Sequence, residues 1–449
     1  MKTLGQSLAL MEAQIPWGQM PSDEDETQNR EGQFSMKRLS KFTATALAVG
    51  TLGTVLATVG GGLGATATLK ATQGASVPSG QHLTIWSWWG GPEAQLMQQT
   101  ANAWGKLHND TVTVIDKSAD SNFNDFENAV RSNSADMAIG IPHNNLGPLQ
   151  LAGVLAPVPN GEINKADYIT PSLNAVSFAG RMYGIPLAAE TYALFYRTNK
   201  LSAAPTTWNQ FITDAKKVGF EFPDNNFYFS YAYIGGMGGY VFGQNHGYTN
   251  AGDIGLNSKG AVAGLNLLKD FVFKYHFMSK NFNNNYALTD FQSGKTGMYI
   301  SGPWDTPGLL KAKVPFKVVP LPLLPNGKHP QTFEGYQTMV VSSRTHNAAA
   351  AWSLAQYIAK TTPLKELAIG HRLPVLKALI NGPQVRQNPI NEAFAKALQY
   401  GVPMPNVAAM NAVWTPAGNM LTFITQGKEA PQTAANNAVK QIRVGEAIQ

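Results

Sequence analysis

The stretch "LTIWSWWGGPEAQLMQQTANAWGKL", residues 83–107, decides the fold class. Leu83 to Trp86 reads as a strand, and Pro92, just past a glycine pair, suits the first turn of a helix. Leu96, Thr100, Ala103, Trp104 and Leu107 follow at helical spacing and predict a buried face. The pattern then recurs. Thr111–Ile115 and Asp136–Ile141 are strand-like. Lys259–Tyr275 predicts a helix burying Leu265, Leu268, Val272 and Tyr275, and Asn347 caps another with an inner face of Ala351, Leu354, Ala355 and Ile358. Strands alternating with helices of this length mean α/β, with largely parallel sheets. Trp86, Trp88 and Trp89 pose a separate problem, since adjacent residues of a strand face opposite ways. Trp86 continues the strand and is expected inside. That leaves Trp88 or Trp89 to face away from the core.

A chain of 449 residues is expected to form two lobes. Hydrophobic residues make up 44%, as in globular proteins, while charged residues are only 14%, well below the usual quarter. The net charge of +6 is spread thinly, with no basic run interleaved with aromatics, which argues against nucleic acid. Without cysteine there is no disulfide, no thiolate chemistry and no lipid-modified cysteine. The eight histidines are scattered, so neither a metal site nor a cofactor is expected.

Residues 1–35 are polar and unpatterned, a disordered or mis-annotated extension, with Met36 a candidate start. Lys37, Arg38 and Lys41 then precede an uncharged run from Phe42 to Leu69, with Ala65-Thr66-Ala67 as a small-residue cleavage site. Residues 36–69 thus form a signal peptide or an uncleaved membrane anchor. Either places the folded part outside the cytoplasm. Residues 70–81 read as a linker.

No phosphate-binding loop or nucleophile elbow is present. "GGMGGY" (235–240) reads as a close-packed helix or turn. A glycosidase needs two facing carboxylates, and Glu190, Asp305 and Glu334 are the candidates. The aromatic supply stands out more. "SGPWDTPG" (301–308), "NAVWTPAG" (411–418) and "NNFYFSYAY" (225–233) place large rings where loops are expected. Exposed loop aromatics are costly unless covered. A pyranose covers them well, laying its C–H face on the ring while its hydroxyls reach sideways to amides and carboxylates.

Three segments carry a resemblance. "GRMYGIPLAAETYALFYRTNKL" (180–201), "FQSGKTGMYISGPW" (291–304) and "GVPMPNVAAMNAVW" (401–414) resemble, in order, motifs of the extracellular solute-binding proteins of ABC sugar importers, in particular the maltose/maltodextrin-binding members. The likeness runs from about Gln81 to the end. It implies a two-lobed periplasmic-binding-protein-like fold of type II, with mixed sheets flanked by helices and a ligand cleft between the lobes. Residues 82–188 plus 339–383 would form lobe one, and 193–333 plus 390–449 lobe two.

The resemblance also implies roles. Glu190 falls on a carboxylate accepting from sugar hydroxyls, Tyr228, Trp304 and Trp414 on aromatic platforms, Tyr286 on a tyrosine at the cleft, and Met404 on a groove-lining position. Other positions depart from the pattern. An Asp-Arg pair reads Asn144-Asn145, a second-lobe Glu reads Asn226, an Asp-Lys pair reads Gly90-Gly91, and an aromatic is replaced by Gly140 or Ile141. Trp88 or Trp89 is the candidate to supply the missing first-lobe ring. Amides in place of carboxylates also predict affinity that survives an acidic exterior. The implied function is delivery of maltose, maltodextrin or a related oligosaccharide by a monomer to membrane permease subunits and their ATPase. The alternatives are a secreted glycoside hydrolase on α-glucans using Glu190, and a receptor for a polyol or other osmolyte.

Overall fold

The computed structural model describes residues 79–120, 122–245 and 248–448, all within one compact unit. The expected extension, the signal or anchor at 36–69 and most of the linker lie outside the described residues. No helix among the described residues is long and apolar enough to cross a membrane.

The strands in chain order are β1 (His82–Ser87), β2 (Thr111–Asp116), β3 (Met137–Pro142), β4 (Ser177–Phe178), β5 (Arg181–Met182), β6 (Ile185–Glu190), β7 (Ala193–Arg197), β8 (Phe220–Glu221), β9 (Phe242–Asn245), β10 (Tyr248–Ile254), β11 (Met298–Ser301), β12 (Phe316–Val319), β13 (Phe333–Val341), β14 (Leu373–Pro374) and β15 (Val402–Pro403). One sheet runs β14-β6-β13-β3-β1-β2, with β15 beside β13, and a second runs β12-β7-β11-β8. The pairs β4–β5 and β9–β10 stand apart.

The sheets are mixed rather than largely parallel. β1 is parallel to β2 and β3, but β13 is antiparallel to both β3 and β6. In the first sheet β13, a nine-residue strand buried throughout, runs against β3 and β6 though parallel to β15, and in the second β7 runs against β11 and β12. The first core packs β1 and β3 under the helices Gly91–His108 and Ala348–Thr361, with Trp104 and Leu354 fully buried. The second gathers Phe211, Phe220, Phe271 and Leu421. Another cluster joins Ala189 on β6 and Leu373 on β14 to Phe195, Tyr299 and Val318 on β7, β11 and β12.

Three packing expectations need correction. Tyr275 lies just past the helix Lys259–Phe273 and is only half-buried. Leu107 is 71% exposed and Ala103 is exposed, because the buried face of their helix is rotated toward Met97 and Ala101. Trp86 is only half-buried, whereas Trp88 and Trp89 are both buried, at 8% and 2% exposure. Each lies in a different core, one on either side of the sheet. The adjacent indoles do face opposite ways, but each side is covered by protein. Neither is therefore a cleft-facing plate. Gly140, at φ +81°, is the backbone under Trp89, and a Cβ there would come within 2.7 Å of the indole. The ring absent from positions 140 and 141 is thus replaced by bulk from the neighbouring strand, inside the core.

Candidate functional site

The aromatic residues converge on one bed. Asn226 caps the helix Phe227–Gly236, its side-chain oxygen accepting from the Tyr228 N–H at 3.0 Å. "NNFYFSYAY" is therefore helical rather than a loop, since the cap starts a helix whose whole circumference is largely buried. Tyr228 packs against Trp304 at 6.2 Å between ring centroids, and Phe227 against Trp414 at 6.0 Å. Phe333 bridges them, 6.1 Å from Tyr228 and 5.9 Å from Phe227, while Tyr231 stacks flat on its ring at 3.8 Å. Trp304, Tyr228 and Trp414 are each half-buried. Trp304 folds back over Gly302, where a Cβ would lie 2.2 Å from the indole, so only glycine fits. Trp414 stands in the first turn of the helix Asn411–Thr425, not on a loop.

Along β6 and β13, two residues from Phe333, runs a polar edge. Glu190 ends β6 and is buried. Its Oε1 accepts from Gln337 Nε2 at 2.6 Å, and its Oε2 accepts from Arg372 Nη1. Arg372 Nε donates to Glu93 Oε1 at 2.7 Å, and Glu366 lies 3.7 Å from the same nitrogen. Burial works against the Arg372 charge, but Glu190 and Glu93 outweigh it and raise its pKa. Glu366 is pushed up to about 10, by burial first and then by Glu93, and so is protonated at neutral pH. The Tyr228 hydroxyl is buried without a hydrogen-bond partner among the described residues, as is Gln337 Oε1. Burial, with the Glu190 charge adding to it, raises the Tyr228 pKa well above its ordinary value.

A seam of hydrogen bonds ties β13 to the segments beside the site. Thr191 Oγ1 donates to Thr332 Oγ1 at 2.7 Å or to the Phe333 carbonyl at 2.9 Å. The fully buried His143 accepts from the Tyr336 N–H at Nδ1 (3.1 Å), which leaves Nε2 to donate to the Met404 carbonyl (2.9 Å). Burial lowers the His143 pKa to about 4.

The remaining expected residues are placed unevenly. Met404 is buried against the second core beneath the bed. Asn144 is buried, and Asn145 donates to the Pro142 carbonyl at 3.2 Å. Asn226 spends its oxygen on the cap. Tyr286 is 57% exposed and makes no aromatic contact with the bed among the described residues. Of the three carboxylates weighed for hydrolysis, Asp305 accepts from Tyr299 and Ser301 at 2.8 and 2.6 Å, Glu334 accepts from Tyr336 at 2.6 Å, and Glu190 is held as described. Gln337, Phe333, Arg372 and Glu93 were not singled out from sequence. Gln337 and Phe333 have a signal in hindsight, since they lie on an unbroken buried strand two residues either side of the Glu190 register partner, Gly335.

Residues 99–396 match the family described as bacterial extracellular solute-binding protein. The chain belongs to that family. A maltooligosaccharide ABC transporter solute-binding lipoprotein of Streptococcus pneumoniae is 31% identical over 67% of this chain and 74% of its own length. A galactooligosaccharide-binding protein of Bacillus subtilis is 26% identical over 83% and 91%. Among solved structures, the maltose-maltodextrin binding protein of the thermoacidophilic bacterium Alicyclobacillus acidocaldarius is 38% identical, with a TM-score of 0.78 over 81% of this chain and 100% of that one. The solute-binding fold is accordingly the two-lobed, mixed α/β type, and the family is an extracytoplasmic component of transport rather than a class of enzymes.

Proposed function

We propose that this solute-binding protein captures maltose or a maltodextrin between lobe one (82–188 with 339–383) and lobe two (193–333 with 390–449), and passes it unaltered to the permease subunits of an ABC importer. The observation that carries this reading is the pairing of the Trp304–Tyr228–Trp414 bed with Glu190 and Gln337, where two buried polar atoms lack partners. A glucosyl ring offers an apolar face to the first and hydroxyls to the second. Closure of the lobes over the sugar gives the bound form its differential affinity, which is what couples the ligand to the permease. Residues 36–69 export the protein or hold it at the membrane.

Relatives named for maltooligosaccharides and a similar structure solved with maltotetraose support the choice of sugar. The test is a thermal-shift panel of maltodextrins, galactooligosaccharides and polyols, followed by fluorescence titration with maltotetraose and chromatography of the recovered sugar. We expect shifted tryptophan emission and intact maltotetraose. Shorter products would mean a hydrolase, and a response to galactooligosaccharides or polyols alone would reassign the ligand.

A further inference from the structure

The sequence left the first lobe without charged ligand contacts, with Gly90-Gly91 and Asn144-Asn145 at the positions where the resemblance implies them. The structure brings a guanidinium to the same edge by another route. β14 pairs antiparallel with β6, Leu373 opposite Ala189 and Pro374 opposite Ala188, so the register sets Arg372 beside Glu190. We propose that Arg372 is a specificity-determining residue that donates to a neighbouring pair of hydroxyl oxygens on the bound sugar. This rests on the saccharide-binding reading above.

Three observations carry it. First, the guanidinium is held from several sides. Nε is tied to Glu93 at 2.7 Å, Nη1 to Glu190, and the Trp89 ring lies 5.5 Å from its central carbon. Second, this leaves Nη2 free. No acceptor among the described residues is paired with it, and in a side chain only 9% exposed it is not among the fully buried unpartnered atoms. Third, it shares its carboxylate with the strand that carries the bed. Glu190, which accepts from Arg372 and from Gln337, is the register partner of Gly335 on β13, two residues from Phe333, whose ring lies 6.1 Å from Tyr228. A ring lying on Tyr228 meets a donor fork and an acceptor side by side. Arginine's planar fork matches two adjacent oxygens, a geometry that lysine lacks. Glu93 and Trp89 are positioning residues in this arrangement, fixing the fork before ligand arrives.

A purely structural Arg372, an ion-pair hub between β6, β14 and the helix Gly91–His108, predicts different behaviour. Calorimetry of the wild type, Arg372→Lys and Arg372→Gln with maltotriose and a panel of its monodeoxy derivatives separates the two. In the wild type we expect one or two adjacent deoxy positions to lose about 30-fold or more in affinity. Arg372→Gln then binds maltotriose weakly and no longer distinguishes those positions, and Arg372→Lys recovers affinity in part without the paired discrimination. Should both variants keep the wild-type deoxy profile, whatever their stability or overall affinity, Arg372 does not touch the sugar. If Arg372→Gln fails to fold, Arg372→Lys decides. A wild type that binds no saccharide at all overturns the saccharide reading itself.

Discussion

Trp88 and Trp304 are the same residue at the end of a strand, and the structure treats them in opposite ways. After β11 the chain turns through Gly302-Pro303, and the indole folds back over the glycine to lie half-buried beside Tyr228. After β1 the chain stays between two layers, so Trp88 packs on Phe123 at 5.5 Å and Trp89 on Gly140. One strand end leaves aromatic area half-exposed, while the other consumes it in folding. In the proposed site, binding would be divided between the flat rings around Trp304 and the fixed hydrogen-bonding groups around Glu190. Truncating Trp88 should weaken the fold and spare the affinity. We expect Trp88→Ala to lose about 3–5 kcal/mol of unfolding free energy, with maltotriose affinity within about threefold of wild type. Urea denaturation and titration of one preparation measure both. A large loss of affinity at unchanged stability would return Trp88 to the site.

The hydrogen-bonded seam around His143 is expected to show the next largest effect. Replacing carboxylates by amides at 144 and 226 points toward acid tolerance, yet His143 works the other way. Folded His143 titrates at about 4, against 6.5 ordinarily. Between these values the unfolded chain binds a proton that the folded one refuses, so stability is present above about pH 6.5 and falls as pH drops toward 4. The window amounts to about 3 kcal/mol. Protonation also removes the lone pair that accepts the Tyr336 N–H. His143→Gln should flatten this part of the stability profile. If the slope between pH 6.5 and 4 survives the substitution, another group is responsible.

Trp304→Ala is the counterpart of Trp88→Ala. Its ring touches Tyr228 and Phe229 at the margin of the core, so the midpoint of thermal unfolding should move by only a few degrees. Maltotriose affinity should fall by about 30-fold, roughly 2 kcal/mol. Equal losses of stability and affinity would erase the contrast between the two strand ends.

Half of this contrast was readable in the sequence, because Trp304 follows a local pattern, whereas the burial of Trp88 and Trp89 depends on the layers packed on either side of them. Period and punctuation located β1, β2, β3 and the helices Lys259–Phe273 and Ala348–Thr361, and the glycine-proline turn marked Trp304. Two kinds of information were out of reach. Strand direction was one, since β13 reverses the expected parallel order by where it enters the sheet, which no window of residues records. Pairing at a distance was the other. Arg372 and Glu190 are 182 residues apart and meet through the register of a two-residue strand. The position of β14 follows from the packing of Leu373 and Val375 in a shared core, a property of the assembled molecule.

Tyr228→Phe gives the smallest expected effect, and its two readouts should move in opposite directions. The hydroxyl is buried without a partner in the ligand-free protein, and an unpaired buried polar group costs about 1–3 kcal/mol. Removing one oxygen leaves the ring and its contacts with Tyr192, Trp304 and Phe333 in place. The free protein should therefore gain up to about 1 kcal/mol in stability. The sugar complex should lose about fivefold to tenfold in affinity if, as proposed, the hydroxyl bonds to the ligand. A variant less stable than wild type would show that the hydroxyl has a partner in the free protein, and the contrast between an apolar bed and a polar edge would then no longer hold at its centre.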